Sequence, residues 1–546
     1  MTKSPNTAGE VEAAQPVGAV AALLAWVERH RFYLFGGLVL LYLAAFNGQW
    51  RIGDDSAGYV NIALSILNGG GLEDHEESMH RYPGVPWLIA TAFRIGGHEA
   101  FWLADLFILL IAGATLALFH RTIRLHDGRP VAVLVTVMLG VTLHFFRHAY
   151  ELLADLPFLF GVMLFLCGYE GLIVRAGRVA RRIALTRHDL LDIGMVLAGL
   201  GVMVVTRRTM IVFILALLAV CVWHLVRQTS VRKRMVFAAL LVGAVTIGGL
   251  WVLFDPRGGP AAYSRDLMLP LLQRHGAGES LKRFAGYGLQ ILEGDAAEAA
   301  FGLDLGPGLN TLGGIIVIAL GIALVRRRML WGVFIAALII AMIIHMPDVR
   351  YFVPILPLMV YGWWRAARAL AERVDPARAG LVLTIALGLW IAPNLVRTCR
   401  FIYEQRQTPF LEHYNDGKYV SLAKVAEHLK ATLPADAVVL ADASSVLNYY
   451  SGYKVANWKM LNRWHRTNPG QLETLRQSPD RIYMIAPMRR ALEVRMRTEL
   501  SVEPGPVLET ITFRSYTWTL HKAQPIAAGS AIPLEHAVDD LPDPDE

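Results

Sequence analysis

The sequence predicts a polytopic α-helical membrane protein with about eleven transmembrane helices, followed by a small extracytoplasmic α/β domain. Three observations predict this fold class. Of the 546 residues, 55% are hydrophobic and only 18% are charged, whereas a soluble domain has about 25% charged residues. The apolar residues form long runs and the mean hydropathy is +0.42. Arginines cluster in the short segments between these runs.

Each predicted span is a mainly apolar run, and the shorter runs must extend into their flanks to reach the length of a membrane helix. The predicted spans are 32–47, 100–119, 130–146, 152–174, 189–205, 209–226, 235–254, 309–325, 329–346, 351–364 and 379–396. The long apolar stretch at 189–226 is interrupted by Arg207 and Arg208. We interpret it as two helices joined by a tight turn, with a single bent helix as the alternative.

Basic residues predict the orientation, because short cytoplasmic loops are enriched in Lys and Arg. If the N-terminus is cytoplasmic, the cytoplasmic loops contain the basic clusters at 121–129, 175–187, 227–234, 326–328 and 365–378. The short outer loops contain Arg147, Arg207, Arg208 and Arg350. This asymmetry predicts a multi-pass protein of the cytoplasmic membrane. The basic clusters that orient the chain in the bilayer also account for the net charge of +7, so no nucleic-acid partner is expected.

The predicted organisation has four parts. They are a cytoplasmic N-terminal segment at 1–31, a transmembrane domain at 32–396 with outer loops at 48–99 and 255–308, an extracytoplasmic α/β domain at 397–525, and a disordered tail at 526–546. Within the α/β domain, the pattern predicts a helix at 418–433, strands at 437–441 and 481–485, and one or two strands at 510–520.

The first outer loop opens with two adjacent carboxylates, Asp54 and Asp55, directly after the first span. Tyr59 begins a short amphipathic stretch, and Arg81 and Tyr82 precede a second one, so both stretches are predicted to lie along the membrane surface. Because Asp favours a helix N-terminus, one interpretation is that the pair only caps the following helix. The other is that one Asp caps the helix while its neighbour takes part in chemistry.

Further charged residues are predicted on the same side of the membrane. Asp155 lies about one turn into the fourth span, where a carboxylate is costly unless it is paired or faces water. It is therefore a functional candidate, with a structural salt bridge to Arg147 or Arg207 as the alternative. Guanidinium groups match phosphate oxygens, so Arg207, Arg208 and Arg350 form a candidate phosphate site. Interfacial snorkelling is the alternative for each arginine.

These segments resemble the GT-C glycosyltransferases, which include the protein O-mannosyltransferases and the bacterial transferases that add aminoarabinose or other sugars to lipid A. Asp54, Asp55 and Tyr59 stand where that family has an acidic pair followed by an aromatic residue. The other similar segments are 81–87 before the second interfacial helix, Glu151 and Asp155 in the second outer loop, Arg207 at a span end, Arg350 and Tyr351 in a late span, and 438–453 in the C-terminal domain. Many relatives have Asp-Glu where this chain has Asp-Asp, which leaves open which of the two is catalytic.

The resemblance implies transfer of a sugar from a polyprenyl-phosphate donor to an extracytoplasmic lipid, glycan or protein. The candidate catalytic residues are Asp54, Asp55 and Asp155; the candidate substrate-binding residues are Tyr59, Arg81, Tyr82, Glu151, Arg207, Arg208, Arg350 and Tyr351. A carboxylate base and in-line attack would invert the configuration at the anomeric carbon. Some relatives use a divalent metal ion, which an acidic pair permits.

Three other functions are compatible with a membrane protein of this kind. They are a lipid-linked sugar transporter or flippase, a non-catalytic scaffold, and an oligosaccharide polymerase or ligase. Transporters usually carry polar residues near the membrane midplane, whereas the ionisable residues here cluster at the outer boundary. A scaffold does not explain the outer arginines and aspartates together. A polymerase or ligase would differ mainly by using a pyrophosphate-linked donor.

Overall fold

The structure is a computed structural model of the chain. It describes residues 18–71, 82–178, 186–228, 230–254, 269–302, 306–324, 328–345, 348–407, 418–442, 444–457, 460–461, 464–465, 469–488, 490–513 and 516–526. Two predicted site residues are affected, since Arg81 and the side chain of Asp54 lie outside the described part. Residues 1–17 of the predicted N-terminal segment and 527–546 of the predicted tail also lie outside it.

The helices of the first half of the chain follow the predicted apolar runs and the two interfacial stretches. They are α1 (Gly18–Ala45), α2 (Asp54–Leu67), α3 (Gly84–Gly96), α4 (Phe101–Asp127), α5 (Arg129–Val141), α6 (Leu143–His148), α7 (Asp155–Arg178), α8 (Arg187–Thr206), α9 (Met210–Arg227) and α10 (Val231–Phe254). A turn at 207–209 separates α8 from α9, so the stretch at 189–226 forms two helices and not one. Between α4 and α5, Gly128 has a φ of 82°, a value that side chains disfavour.

The helices of the second half lie in the long loop predicted at 255–308 and in the late predicted spans. They are α11 (Leu269–Gln290), α12 (Ala296–Phe301), α13 (Pro307–Ala323), α14 (Met329–His345), α15 (Leu356–Ala371) and α16 (Pro376–Gln407). A π-helical turn, Ile291–Asp295, precedes α12, and a 3₁₀ helix, Val349–Ile355, precedes α15. Because α16 continues to Gln407, the boundary predicted at 397 falls inside a helix. An Arg400–Glu404 pair at 2.7 Å, one turn apart, supports this extension.

Apolar helices dominate the described part of the chain. Six of the described helices are long and apolar enough to cross a membrane, namely α4, α7, α8, α9, α10 and α16; α5, α13 and α14 are shorter and also apolar. Large side chains such as Phe32, Leu110 and Val226 are exposed, as expected for surfaces that face lipid. Each predicted span overlaps a helix of the described chain, and the number of eleven crossings stays a prediction.

Small residues allow α7 and α8 to pack closely. A methyl group on Gly168 would lie 2.5 Å from the Asp192 carbonyl oxygen, and one on Gly199 would lie 2.5 Å from the Phe165 amide nitrogen. Neither contact leaves room for a side chain. Close approach through small residues is typical of helix pairs in membranes, where packing contacts drive association. This pair positions Asp155 at the start of α7 near Arg207 at the end of α8.

The C-terminal domain is a small mixed α/β unit. Its helices are α17 (Lys418–Thr432), α18 (Ser444–Ser451), α19 (Pro469–Arg476) and α20 (Arg490–Arg495), and its strands are β1 (Val438–Leu440), β2 (Lys454–Ala456), β3 (Ile482–Ala486), β4 (Val502–Phe513) and β5 (Tyr516–Pro525). The strand order is β2-β1-β3-β5-β4, with β1 parallel to β2 and β3, and β5 antiparallel to β3 and β4. The predicted helix and strands are confirmed, whereas the three-residue strand β2 was not predicted.

The C-terminal domain packs on the first outer loop. The Asn61 side chain of α2 donates a hydrogen bond to the Ser445 carbonyl of α18 at 3.0 Å. The Tyr449 hydroxyl donates to Glu99 at 2.6 Å, and its ring lies 4.9 Å from that of Trp50. The domain and the loop that carries the acidic pair therefore lie on the same side of the helices.

The ion pairs near the ends of the helices fall into two groups. One end contains Arg350–Asp55, Arg207–Asp155 and Arg51–Glu151; the other contains Arg365–Asp127, Arg121–Asp192 and Arg328–Glu170. This division matches the predicted alternation of outer and cytoplasmic loops. Which end faces the cytoplasm stays a prediction, which the basic clusters support.

Candidate functional site

The acidic pair lies in the first turn of α2. The N-cap residue is Gly53, and its amide donates a hydrogen bond to the Ser56 hydroxyl at 2.9 Å. The interpretation in which an Asp side chain occupies the N-cap is therefore wrong, because the helix begins one residue earlier than that interpretation requires. The negative charge of Asp55 is still favourable near a helix N-terminus. Capping alone does not account for Asp55.

Arg350 connects the acidic pair to a distant part of the chain. Its Nη1 lies 2.5 Å from Asp55 Oδ2, and its Nε lies 3.0 Å from Asp348 Oδ2. The Asp348 carboxylate also accepts a hydrogen bond from the Arg350 amide at 2.9 Å, which orients the start of the 3₁₀ helix. The side chains of Asp55 and Arg350 are 41% and 32% exposed, so this pair is accessible to a substrate.

A second ion pair lies beside the first. Arg207 is paired with Asp155, and both side chains are largely buried. The Tyr351 ring separates the two arginines, since its centroid is 5.0 Å from the Arg207 guanidinium carbon and 5.2 Å from that of Arg350. The alternative in which Asp155 forms a salt bridge with Arg207 is thus supported. Buried pairing favours a role for Asp155 in holding Arg207 rather than in accepting a proton.

Glu151 is enclosed by two arginines and a histidine of its own chain. Its carboxylate lies 2.8 Å from Arg147 Nε, 3.6 Å from His148 Nε2 and 3.5 Å from Arg51 Nη1. Burial acts to raise the pKa of Glu151, but the electrostatic influence of Arg147, His148 and Arg51 outweighs it and lowers the pKa to about 2. Glu151 is therefore ionised and already paired. Arg51 was not predicted as a site residue, although a charged residue directly after a span could have indicated it.

The Tyr-Pro-Gly segment approaches the end of α8. A methyl group on Gly84 would lie 2.8 Å from the Val205 carbonyl oxygen, so only glycine fits there. Tyr82, two residues before Gly84, is half-buried. Tyr59 lies close enough to Arg207 to influence its electrostatic environment. The structure therefore brings the predicted residues Tyr59 and Arg207 together.

Arg208 differs from the two arginines that have carboxylate partners. Its Nε is buried and has no hydrogen-bond partner among the described residues. Arg207 and Arg350 each contact an aspartate, whereas Arg208 contacts none within the described part of the chain. An arginine without a carboxylate beside a partly open cluster is suited to an anionic ligand.

Two of the candidate carboxylates are paired with arginines. Asp55 pairs with Arg350, and Asp155 pairs with Arg207. Within the ranges that the structure describes, no group of three or more His, Cys, Asp and Glu side chains is placed to hold a metal ion.

Comparison with known proteins gives the fold. No protein-family model matches the chain, and no curated protein sequence matches it. Solved structures do match. ArnT from Cupriavidus metallidurans bound to undecaprenyl phosphate has a TM-score of 0.53 and 13% identity, covering 92% of this chain and 99% of its own. The oligosaccharyltransferase AglB from Archaeoglobus fulgidus, in complex with an inhibitory peptide and a dolichol-phosphate, has a TM-score of 0.52 and 14% identity, covering 92% of this chain and 75% of its own.

Both similar proteins are GT-C superfamily members, and the similarity extends over the transmembrane region and the C-terminal domain. At this level of identity, the comparison establishes the fold and leaves the reaction to be argued from the site. The chain therefore shares the overall fold of these two GT-C proteins, and its apolar helices are consistent with a membrane protein.

Proposed function

We propose that the protein is a membrane glycosyltransferase that moves a sugar from a polyprenyl-phosphate donor to an extracytoplasmic acceptor. One observation carries the proposal: the Asp55–Arg350 and Arg207–Asp155 pairs meet around Tyr351 at one end of a GT-C fold. The cluster combines cations for a lipid phosphate with a carboxylate that is accessible to an acceptor. Both similar structures described above contain a lipid phosphate.

Arg208 and Arg350 are the proposed phosphate ligands. Arg208 contacts no carboxylate among the described residues, and Arg350 is partly exposed. Arg207 is largely buried against Asp155, so we assign it a supporting role as a fixed positive charge. Because two arginines neutralise the phosphate, the leaving group departs as an anion and needs no proton donor.

Asp55 is the proposed general base, with Asp54 as the alternative. In the structure Asp55 forms an ion pair with Arg350. When the donor phosphate binds Arg350, this pairing weakens and the carboxylate becomes available to the acceptor. Asp55 then takes the proton of the acceptor hydroxyl or amine. The acceptor atom bonds to the anomeric carbon as the bond to phosphate oxygen breaks, and the configuration inverts.

The transporter interpretation has less support. The ionisable residues named above lie at helix ends, and a transporter site is usually near the midplane between broken helices. A polymerase or ligase would use the same cluster with a pyrophosphate donor. Comparing polyprenyl-monophosphate and polyprenyl-pyrophosphate donors in vitro separates the two enzyme classes, and we expect the monophosphate to be used.

The test in cells is mass spectrometry of envelope glycolipids and glycans from a deletion strain. We expect loss of one glycosylated species, which returns with the wild-type gene and does not return with Asp55→Asn. An unchanged envelope would contradict the proposal. Return of the same species with Asp55→Asn as well as with the wild-type gene would contradict the role of Asp55.

The proposed orientation has its own test. With Cys399→Ser as background, a cysteine at exposed Glu473 in the C-terminal domain should react with a membrane-impermeant thiol reagent in intact cells. The matched control is a cysteine at exposed Arg373, between α15 and α16, which should react only after permeabilisation. The reverse pattern would show that the C-terminal domain is cytoplasmic.

A further inference from the structure

Arg51 is a buried cation placed between the first span and the acidic pair. Its exposed fraction is 7%. A buried guanidinium costs several kcal/mol unless its charge is compensated, so its surroundings need an explanation. Neither substrate recognition nor membrane orientation explains a buried arginine at this position.

The side chain of Arg51 connects separate elements. Its Nη1 lies 3.5 Å from Glu151 Oε1, just before α7, and its guanidinium carbon lies 4.5 Å from the centre of the Phe401 ring on α16. Asp105 of α4 is also buried and close enough to interact electrostatically with Arg51. The guanidinium therefore joins the first outer loop to α4, α16 and the loop that leads into α7.

The backbone of Arg51 is tied to the first turn of α2. The Ser56 hydroxyl donates a hydrogen bond to the Arg51 carbonyl at 3.1 Å and accepts one from the Gly53 amide at 2.9 Å. The Trp50 indole donates to the same hydroxyl at 3.2 Å. Because Ser56 follows Asp55 directly, a displacement of Arg51 would displace the start of the helix that carries Asp55.

We propose that Arg51 is a positioning residue. Its buried ion pair with Glu151 fixes the position of the start of α2 relative to the start of α7. On α2 lies Asp55, and on α7 lies Asp155, the partner of Arg207. The Arg51–Glu151 pair thereby aligns the two ion pairs of the site. This inference rests on the proposed function for its catalytic consequence, and it assigns Glu151 a structural role.

Kinetics of the purified protein test the catalytic part. Arg51→Met and Glu151→Gln should each lower kcat by about 10- to 100-fold with little change in the donor KM, since displacement of about 1 Å can cost that much. Arg51→Lys should recover part of the rate. The loss in the double variant should be smaller than the product of the two single losses, because both changes remove the Arg51–Glu151 contact. Multiplicative losses, or a selective rise in donor KM, would overturn the proposal.

A distance measurement tests the structural part without requiring activity. Spin labels at exposed Asn68, after α2, and Gln407, at the end of α16, report the placement of α2 in a Cys399→Ser background. Arg51→Met should shift or broaden the distance distribution. Arg400→Met, which removes an exposed arginine of α16, should leave it unchanged.

The two readouts separate the possible failures. If Arg51→Met does not fold, Arg51→Lys is measured in its place and should give the same shift in smaller degree. An unchanged distribution in a folded variant would overturn the positioning role. A shifted distribution in a protein whose wild type transfers no sugar would contradict the proposed function and leave the positioning role standing.

Discussion

The two ends of the helix bundle carry the same residue types in different arrangements. At the end predicted to be cytoplasmic, carboxylates are buried and each has two partners. Asp192 is fully buried between Arg121 and Arg175, and Asp127 accepts hydrogen bonds at 2.6 Å from both Tyr361 and Arg365. Such pairs hold helices together and leave no capacity for a ligand.

At the opposite end, Asp155 and Glu151 are also buried in ion pairs, whereas other charged groups are exposed or contact fewer partners. Asp55 and Arg350 are both about one-third or more exposed, and Arg208 contacts no carboxylate within the described residues. Partly exposed pairs contribute at most about 1 kcal/mol to stability. Both ends contain Arg and Asp, so residue type does not distinguish them. The comparison teaches that the candidate site differs because some of its charged groups are exposed or contact no described carboxylate.

The largest expected effect concerns the acidic pair. Asp55→Asn, or Asp54→Asn if that residue is the base, should lower the transfer rate by about 10²–10⁴-fold while thermal stability stays near that of wild type. Asn keeps the shape of Asp and removes its charge. Transfer by the purified variants and their unfolding midpoints measure both quantities. Asp127→Asn, at the opposite end, is the control and should keep its rate per folded molecule. Full activity in both acidic-pair variants would redirect the search to Glu151 or Asp155.

For Asp192, at the end predicted to be cytoplasmic, we expect a loss of stability and no loss of activity. Asp192→Asn removes the carboxylate of Arg121 and leaves Arg175 paired with Asp189 alone, and it should cost about 2–3 kcal/mol of stability. This is less than for a fully buried pair, because the Arg121 side chain is 49% exposed. Denaturation in detergent measures the loss, and activity per folded molecule should not change. A loss of rate without a loss of stability would show that the contrast between the two ends is wrong.

A smaller effect is expected at Asp295, in the π-helical turn before α12. Burial, followed by the neighbouring charges of Asp348 and Glu298, raises the pKa of Asp295 from 3.8 to about 6. The ionised group therefore destabilises the fold above about pH 6, and this destabilisation diminishes as the pH falls from 6 towards 4. Asp295→Asn should raise the unfolding midpoint more at about pH 7.5 than at about pH 4.5. An equal change at both pH values would contradict the raised pKa.

Local patterns predicted most of the fold. Apolar runs located the helices, and Arg207 with Arg208 marked the turn between α8 and α9, because both signals depend on adjacent residues. The strand β2 was missed because three residues are too short for a period-two pattern. The end of α16 was missed because its last residues are polar, while a membrane span is recognised by its apolar ones.

The sequence named candidate site residues but could not predict how they pair. Asp55 and Arg350 are 295 positions apart, so no local pattern indicates that they meet. The choice of Arg207 as the partner of Asp155, and the burial of Arg51, also depend on how helices pack. Sequence reasoning named the charged residues of the predicted outer loops, and the fold determines which of them remain accessible.

Binding of undecaprenyl phosphate tests the central claim most directly. Native mass spectrometry of the purified protein should detect the complex, and Arg208→Ala and Arg350→Ala should each weaken it by about tenfold or more, since hydrogen bonds to charged groups contribute about 1.5–3 kcal/mol. Arg350→Lys should restore little, because lysine lacks the planar fork. The control Arg400→Ala should bind as wild type does. Unchanged binding in both Arg208→Ala and Arg350→Ala would contradict the assignment of this cluster as a lipid-phosphate site.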